Sequence, residues 1–336
     1  MSRLSGLSQM KLNRLFIIFL LFAEVVLAGT VTVDIKEWQV PYENSRPRDP
    51  YVAPDGMVWF CGQAGAYIAM LDPSSGEFKK YDMADHVLPH NLIIDDQGIV
   101  WYAGNTRGYI GRLDPATGEI KKYPMPNDAV RDPHTLVFDS KGDIWFTAQQ
   151  SNYIGKLFVM TGKVMGVEVP TPRARPYGIR VDAKDRPWIA LFGTNKLATV
   201  DPESFAIEEI ELPRKETLPR RLAVASDNTV WYVDYKNGYL GQYNPGTTEI
   251  KEWRMPGKKQ SRPYGMIVDD LDRLWFVETG LNPNRLIGFD AKRKIFFSQT
   301  VIPSGGDSIR HMYYHSASKE IWFGTDANTI GRAIIP

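Results

Sequence analysis

Two histidines 44 residues apart, His90 and His134, are the side chains in this chain best placed for chemistry, each directly after a proline. Imidazoles brought together can bind a metal ion or pass a proton near neutral pH. Asp132, two residues before His134, adds a carboxylate, the oxygen ligand a hard cation prefers. His134 and His90 are therefore candidate catalytic groups, and Asp132, His90 and His134 a candidate metal set. A second constellation lies later in the chain, where Glu278 accompanies Tyr264, and Arg220 accompanies Asp234. Two such carboxylates could couple as acid and base or hold a cation, while a salt bridge between Arg220 and Asp234 is the preferred structural reading. Arg46, Arg48, Arg175, Arg220 and Arg262 fall at related positions. They suit an anionic or carboxylate-bearing ligand, or are simply solvated. Arg48, Tyr177, Arg220, Tyr264, Glu278 and His311 are the candidate ligand-binding residues.

The elements that must position these groups are repeats. Aligning on Trp59, Trp101, Trp145, Trp188, Trp231, Trp275 and Trp322 gives steps of 42, 44, 43, 43, 44 and 47 residues. Each repeat alternates apolar and polar residues in short runs broken by Asp, Asn and Gly, the mark of antiparallel strands joined by tight turns. Four strands per repeat of ~40–45 residues is the arithmetic of a propeller blade. The expected fold is all-β, a seven-bladed propeller of four-stranded antiparallel blades. The last repeat stops after three strands, and IKEWQVP at 35–41 nearly duplicates the fourth strand IKEWRMP at 250–256. An N-terminal strand completing the last blade would close the ring and remove exposed sheet edges.

On this plan the residue eleven before each Trp opens the innermost strand and lies beside the residue three after it, at one mouth of the central channel. The pairs are Arg48/Gly62, His90/Gly104, His134/Ala148, Tyr177/Leu191, Arg220/Asp234, Tyr264/Glu278 and His311/Thr325. Variation at one register of an otherwise uniform repeat suggests a site. All five histidines, with His86 and His315 added, are expected near this mouth, His86 solvated and His315 as a core histidine. Asp95, Asp139, Asp182 and Asp269, six residues before the Trp, read as turn formers, and the Trp set as packing between blades.

Residues 1–28 combine Arg3, Lys11 and Arg14 with an apolar run and a small-residue site before Gly29, which reads as a cleaved export signal. The alternative is an uncleaved anchor, but Glu24 interrupts a run short of the ~20 residues a span needs. The expected product is residues 29–336, one propeller domain, periplasmic or secreted and monomeric. Removing the leader takes three basic residues and one acid, moving net charge from +1 to −1. That balance argues against a generic nucleic-acid binder. Cys61 is the sole cysteine, so no internal disulfide or cysteine metal cluster can form, and an inert buried thiol is expected.

The phrases PHxxxxD, G-x-[IV]-W-[FY] and YIGRLDPxTGEIKKYPMP resemble the streptogramin B lyase family, also called virginiamycin B lyases, over residues 32–336. The resemblance implies a seven-bladed propeller that opens a cyclic depsipeptide ester by elimination, assisted by a magnesium ion. It places His90 and His134 at the family's two histidines and Asp132 at an acid two residues before the second. Fourteen residues after His134 the family has Glu, and this chain has Ala148. The metal site implied for Mg2+ is correspondingly weakened, while His134 remains the implied base.

Two functions from different classes follow. One is an exported lyase acting on a cyclic ester, with His134 as base. The other is a non-catalytic periplasmic propeller binding an anionic small-molecule or peptide-like ligand, or a protein partner, at the channel mouth. A sugar-lactonase activity lacks an oxygen-rich calcium set in the sequence.

Overall fold

The computed structural model describes residues 31–83 and 86–336; the leader lies outside the described residues. Seven four-stranded antiparallel sheets stand around a central axis. Blade 1 opens with the inner strand Pro47–Val52, blade 2 with Pro89–Ile94, and blade 3 with Pro133–Phe138. Blades 4 to 6 open with Pro176–Val181, Pro219–Val224 and Pro263–Val268, and blade 7 with Met312–His315. Each inner strand touches those of the two adjacent blades, so the seven line one channel.

Closure follows the expected route. Asp34–Gln39 pairs antiparallel with Thr329–Ile334 and becomes the outer strand of blade 7. Trp38 stacks on Trp322 at 5.5 Å, and Glu37 accepts hydrogen bonds from Thr329 and Ser304.

The repeated Trp cements neighbouring blades. Trp59 packs into the apolar layer of blade 2 with Leu92, Ile94 and Val100, and Trp101 into that of blade 3 with Leu136, Ile144 and Phe146. The same step repeats round the ring until Trp322 packs with Val52, Val58 and Phe60 of blade 1. Burying that much aromatic surface between sheets is the main stabilising term here. The turn aspartates cap their own loops and also hold the indole. Asp95, Asp182 and Asp269 accept the Nε1–H of Trp101, Trp188 and Trp275 at 2.9, 3.0 and 2.8 Å. Asp139 departs from this, because Lys156 takes it in a buried ion pair at 2.7 Å and leaves Trp145 Nε1 unpartnered. Cys61 is buried, and burial pushes its thiol well above the ordinary range, as an inert residue requires.

The pairing of the first two strands differs from expectation by one residue, and that difference builds the site. In blade 3 Pro133, not His134, stands opposite Ala148, and the next paired residue is Leu136, opposite Phe146. Three steps on the inner strand oppose two on its neighbour, which is a β-bulge. Blades 2, 4, 5 and 6 show the same shift, and blade 1 a shift beginning one residue later. A bulge suspends strict alternation, so two consecutive side chains are re-aimed inside the ring.

Candidate functional site

Those two consecutive residues are Arg48-Asp49, His90-Asn91, His134-Thr135 and Arg220-Arg221 in blades 1, 2, 3 and 5. They form one hydrogen-bonded layer across the channel. Arg48 reaches Asp49 at 3.1 Å and His90 Nε2 at 3.1 Å. Asn91 donates to Asp49 at 2.9 Å and accepts from the Leu136 amide of the next blade. Arg221 donates to Thr135 Oγ1 at 3.1 Å and to the Arg310 carbonyl at 3.0 Å, with Asp49 3.9 Å away. Blade 4 makes room with Gly178, where a Cβ would stand 2.9 Å from the Arg220 carbonyl and 3.0 Å from Arg221 Cα.

The two histidines meet as the sequence suggests. Their rings lie 3.7 Å apart with a 39° tilt, and the Tyr177 ring lies 4.2 Å from His134 on a 55° tilt. His90 Nδ1 contacts the His134 carbonyl at 3.2 Å, and His134 Nδ1 contacts Thr135 Oγ1 at 2.8 Å. His134 Nε2 is buried without a partner. Burial, with the guanidiniums of Arg48 and Arg221 close by, holds both imidazoles well below their usual pKa. Both are neutral at pH 7.

Magnesium does not fit these residues. Asp132 uses both carboxylate oxygens on its own loop, accepting from the Gln150 and Ser151 amides and the Ser151 hydroxyl. Among the described residues no group of three or more His, Cys, Asp or Glu could hold a metal ion. Cationic guanidiniums beside the histidine pair add repulsion for a divalent cation.

Several expectations need correction. Arg220 makes no salt bridge with Asp234. It lies over the Tyr264 ring at 3.5 Å and the Tyr235 ring at 4.3 Å, while Asp234 faces Arg214 at 3.6 Å. Glu278 is buried and spent on structure, accepting from Gly257 N, Ser261 Oγ and Arg285. It is neither beside Tyr264 in the channel nor coupled to Asp234. His315 is half-buried and bonded to Ser318 Oγ at 2.7 Å, at the end of its strand remote from the mouth. His86 is exposed, as expected. Arg46, Arg175 and Arg262 are exposed, all with left-handed backbone (φ 48°, 54° and 39°). The centre was missed at one register: Asp49, Asn91, Thr135 and Arg221 sit ten residues before each Trp. The signal was present, since these polar types replace the apolar residue that alternation would demand.

The candidate residues are also deeper than a mouth. Arg48, His90, His134, Tyr177, Tyr264 and His311 are all buried. Tyr177 and Tyr264 meet hydroxyl to hydroxyl across the channel. Beyond them, towards the end where the inner strands begin, a shallow cavity of about 890 Å³ includes Tyr235, Lys236, Lys259 and Arg262.

The tyrosine pair carries a testable consequence. Burial alone would raise Tyr177, but Arg220, Arg221 and Arg48 outweigh it and bring it down to about 8. Burial and its neighbour hold Tyr264 above the ordinary range. The pair is therefore expected to release its first proton near pH 8, read as phenolate absorbance. Arg220→Met should move that step towards the usual ~10, and Tyr177→Phe should remove it. The sign for stability follows from the lowered pKa. This contribution is complete above ~10 and is lost as pH falls through about 8, because the unfolded chain holds the proton longer. A first phenol ionisation at or above ~10 in the wild-type protein would refute the assignment.

A seven-bladed propeller with a polar, arginine-bearing channel defines the class. Residues 33–333 match the model of the virginiamycin B lyase family, and the chain belongs to that family. Virginiamycin B lyase from Staphylococcus aureus has a similar structure, with TM-score 0.81 at 23% identity over 90% of this chain and 99% of that one. A catalytically inactive form of that lyase, crystallised with quinupristin, gives TM-score 0.80 at 23% identity, with the same shares covered. Kuenenia stuttgartiensis hydrazine synthase gives TM-score 0.72 at 11% identity over 88% of this chain and 97% of that one. These likenesses carry the fold alone. No curated protein matches in sequence.

Proposed function

We propose that this propeller binds an anionic ligand, a carboxylate or similar oxyanion, in the central layer of its channel. One observation carries the reading. Arg48, Arg221 and Arg220 converge there with Asp49 as the one carboxylate among them, and Arg48 Nη2, Arg221 Nη2 and Arg220 Nε are buried without partners. Buried guanidinium N–H groups that lack acceptors are costly to leave unmet. An anion supplies charge and acceptors together, and guanidinium forks match its geometry. Lys236, Lys259 and Arg262 at the approach favour encounter with a negative molecule. The leader composition supports an exported, periplasmic or secreted setting for this binder, here taken as a monomer.

Elimination is the second reading, favoured by the unpartnered Nε2 of His134. In it a neutral imidazole removes a proton beside a carbonyl, the ester C–O bond breaks, and the ring opens without gain of water. Positive neighbours lower the basicity of that nitrogen, which weakens it as a base. The binding reading therefore comes first.

Both are tested by incubating the full chain with a cyclic depsipeptide and, separately, titrating acetate and phosphate by calorimetry. The binding reading expects saturable anion binding, weakened at least about tenfold in Arg48→Met, with the depsipeptide left intact. A linear product of unchanged mass, absent in His134→Ala, would establish elimination instead. No saturable binding of either anion would sink the proposal.

A further inference from the structure

The channel has a second opening. At the end where the inner strands finish lies a cavity of about 350 Å³ that the candidate residues of the central layer, His311 excepted, do not line. Its walls are apolar, built from Phe138, Val181, Val224 and Val268 and from the Tyr51–Tyr313 pair, whose rings are 4.0 Å apart. Phe138, Val181, Val224 and Val268 close the inner strands of blades 3 to 6, so these four blades each deliver an apolar residue to the same funnel.

The floor is different in kind. Arg180 and His311 meet there, with Arg180 Nη2 3.3 Å from His311 Nε2. Among the described lining residues Arg180 carries the one formal charge, since burial keeps His311 neutral. Arg180 donates from Nη1 to the Ile179 carbonyl at 2.9 Å, and no described carboxylate lies within ion-pair reach of it. Because His311 Nε2 faces a guanidinium, its proton sits on Nδ1, and Nδ1 is buried without an acceptor. Burial and the nearby Arg221 outweigh the more distant attraction of Asp49 and bring Arg180 down to about 10.

We propose that this funnel binds small amphipathic monocarboxylates, the acid group pairing with Arg180 and the apolar body lying against the valine and tyrosine walls. An apolar wall with one uncompensated guanidinium at its base is complementary to that class and to few others. A peptide chain would leave unpaired amides against the valines, and a dianion would leave one charge unmatched. With ~30 Å³ per small non-hydrogen group, the volume admits roughly a dozen such atoms, and octanoate fits within it. This site stands whether or not the central layer takes an anion of its own.

The test uses the full chain and octanoate as probe, with octanol as the uncharged control, followed by calorimetry and by thermal melting. Octanoate is expected to bind saturably and raise the Tm, and octanol to bind at least about tenfold more weakly. Arg180→Met should remove the preference for octanoate over octanol. Val224→Trp should block both by filling the funnel. Equal binding of octanol and octanoate by the wild-type protein overturns the proposal, and so does no saturable octanoate binding at millimolar concentration. Octanoate binding that survives Val224→Trp would place the ligand elsewhere and likewise defeat it. The wild-type comparison decides the matter even if either variant fails to fold.

Discussion

Asp49→Ala is expected to cost about 3–5 kcal/mol of folding stability, and formate is expected to return part of it. Asp49 is fully enclosed and, among the described residues, is the single carboxylate facing Arg48 and Arg221, with Asn91 as a further donor. Removing it leaves guanidiniums buried with no counter-charge, the costly way to break a buried pair. The truncated side chain also leaves a space shaped for a small carboxylate bounded by the same donors. Denaturant unfolding should therefore show the loss in buffer without carboxylates. Formate should raise the Tm of the variant more than that of the wild type, which separates specific rescue from general salt effects. Opposing burial, Arg48 and Arg221, with the Asn91 hydrogen bond, hold the Asp49 carboxyl far below the usual range. Its contribution is thus present above ~4 and is lost only as pH falls far into the acid region. A cost under about 1 kcal/mol would mean that water already solvates these guanidiniums, and the central-layer reading would fail with it.

The fold was legible because its information is periodic. Seven Trp at near-equal spacing, turn aspartates at a fixed offset and a spare strand at the N-terminus each repeat a message many times over. The site was legible only in part because it depends on a departure from period. Counting alternation from Trp145 back to His134 assigns one channel-facing side chain per blade. The bulge between Pro133 and Leu136 adds a second, which brings in Thr135 and, by the same step, Asp49, Asn91 and Arg221. The error over Glu278 has a related cause. It is enclosed as the sequence position implies, but Ser261 of the connection before its blade and Arg285 of the blade itself claim it before the channel can. Which of two possible partners wins a buried charge is a matter of ångströms, and residue types cannot report it. The histidines meet, yet Asp132 turns to its loop and the Ala148 side chain offers no oxygen, so a shared scaffold does not by itself supply magnesium ligands at these positions.

Deleting residues 29–41 is expected to abolish the stable closed ring, and a peptide carrying IKEWQVP is expected to restore it in trans. Loss of this segment exposes the outer edge of blade 7 along Thr329–Ile334 and the Trp322 face that Trp38 covers. A buried Trp truncated to Ala alone costs ~3–5 kcal/mol, and here the ladder with Thr329–Ile334 and the Glu37 bonds to Ser304 and Thr329 go as well. Against a total stability of ~5–15 kcal/mol, that leaves little or nothing. The truncated protein should melt without a cooperative transition or self-associate through the open edge. Strand addition to an open sheet edge is a general mode of peptide recognition. Register here is specified by Trp38 over Trp322 and by Glu37, so the same peptide with Ala in place of Trp38 should restore much less. Melting curves and light scattering, with and without peptide, decide the question. A truncated chain that melts at the wild-type temperature would show that blades 1 and 6 hold the ring shut by themselves, and that the N-terminal strand is dispensable to closure.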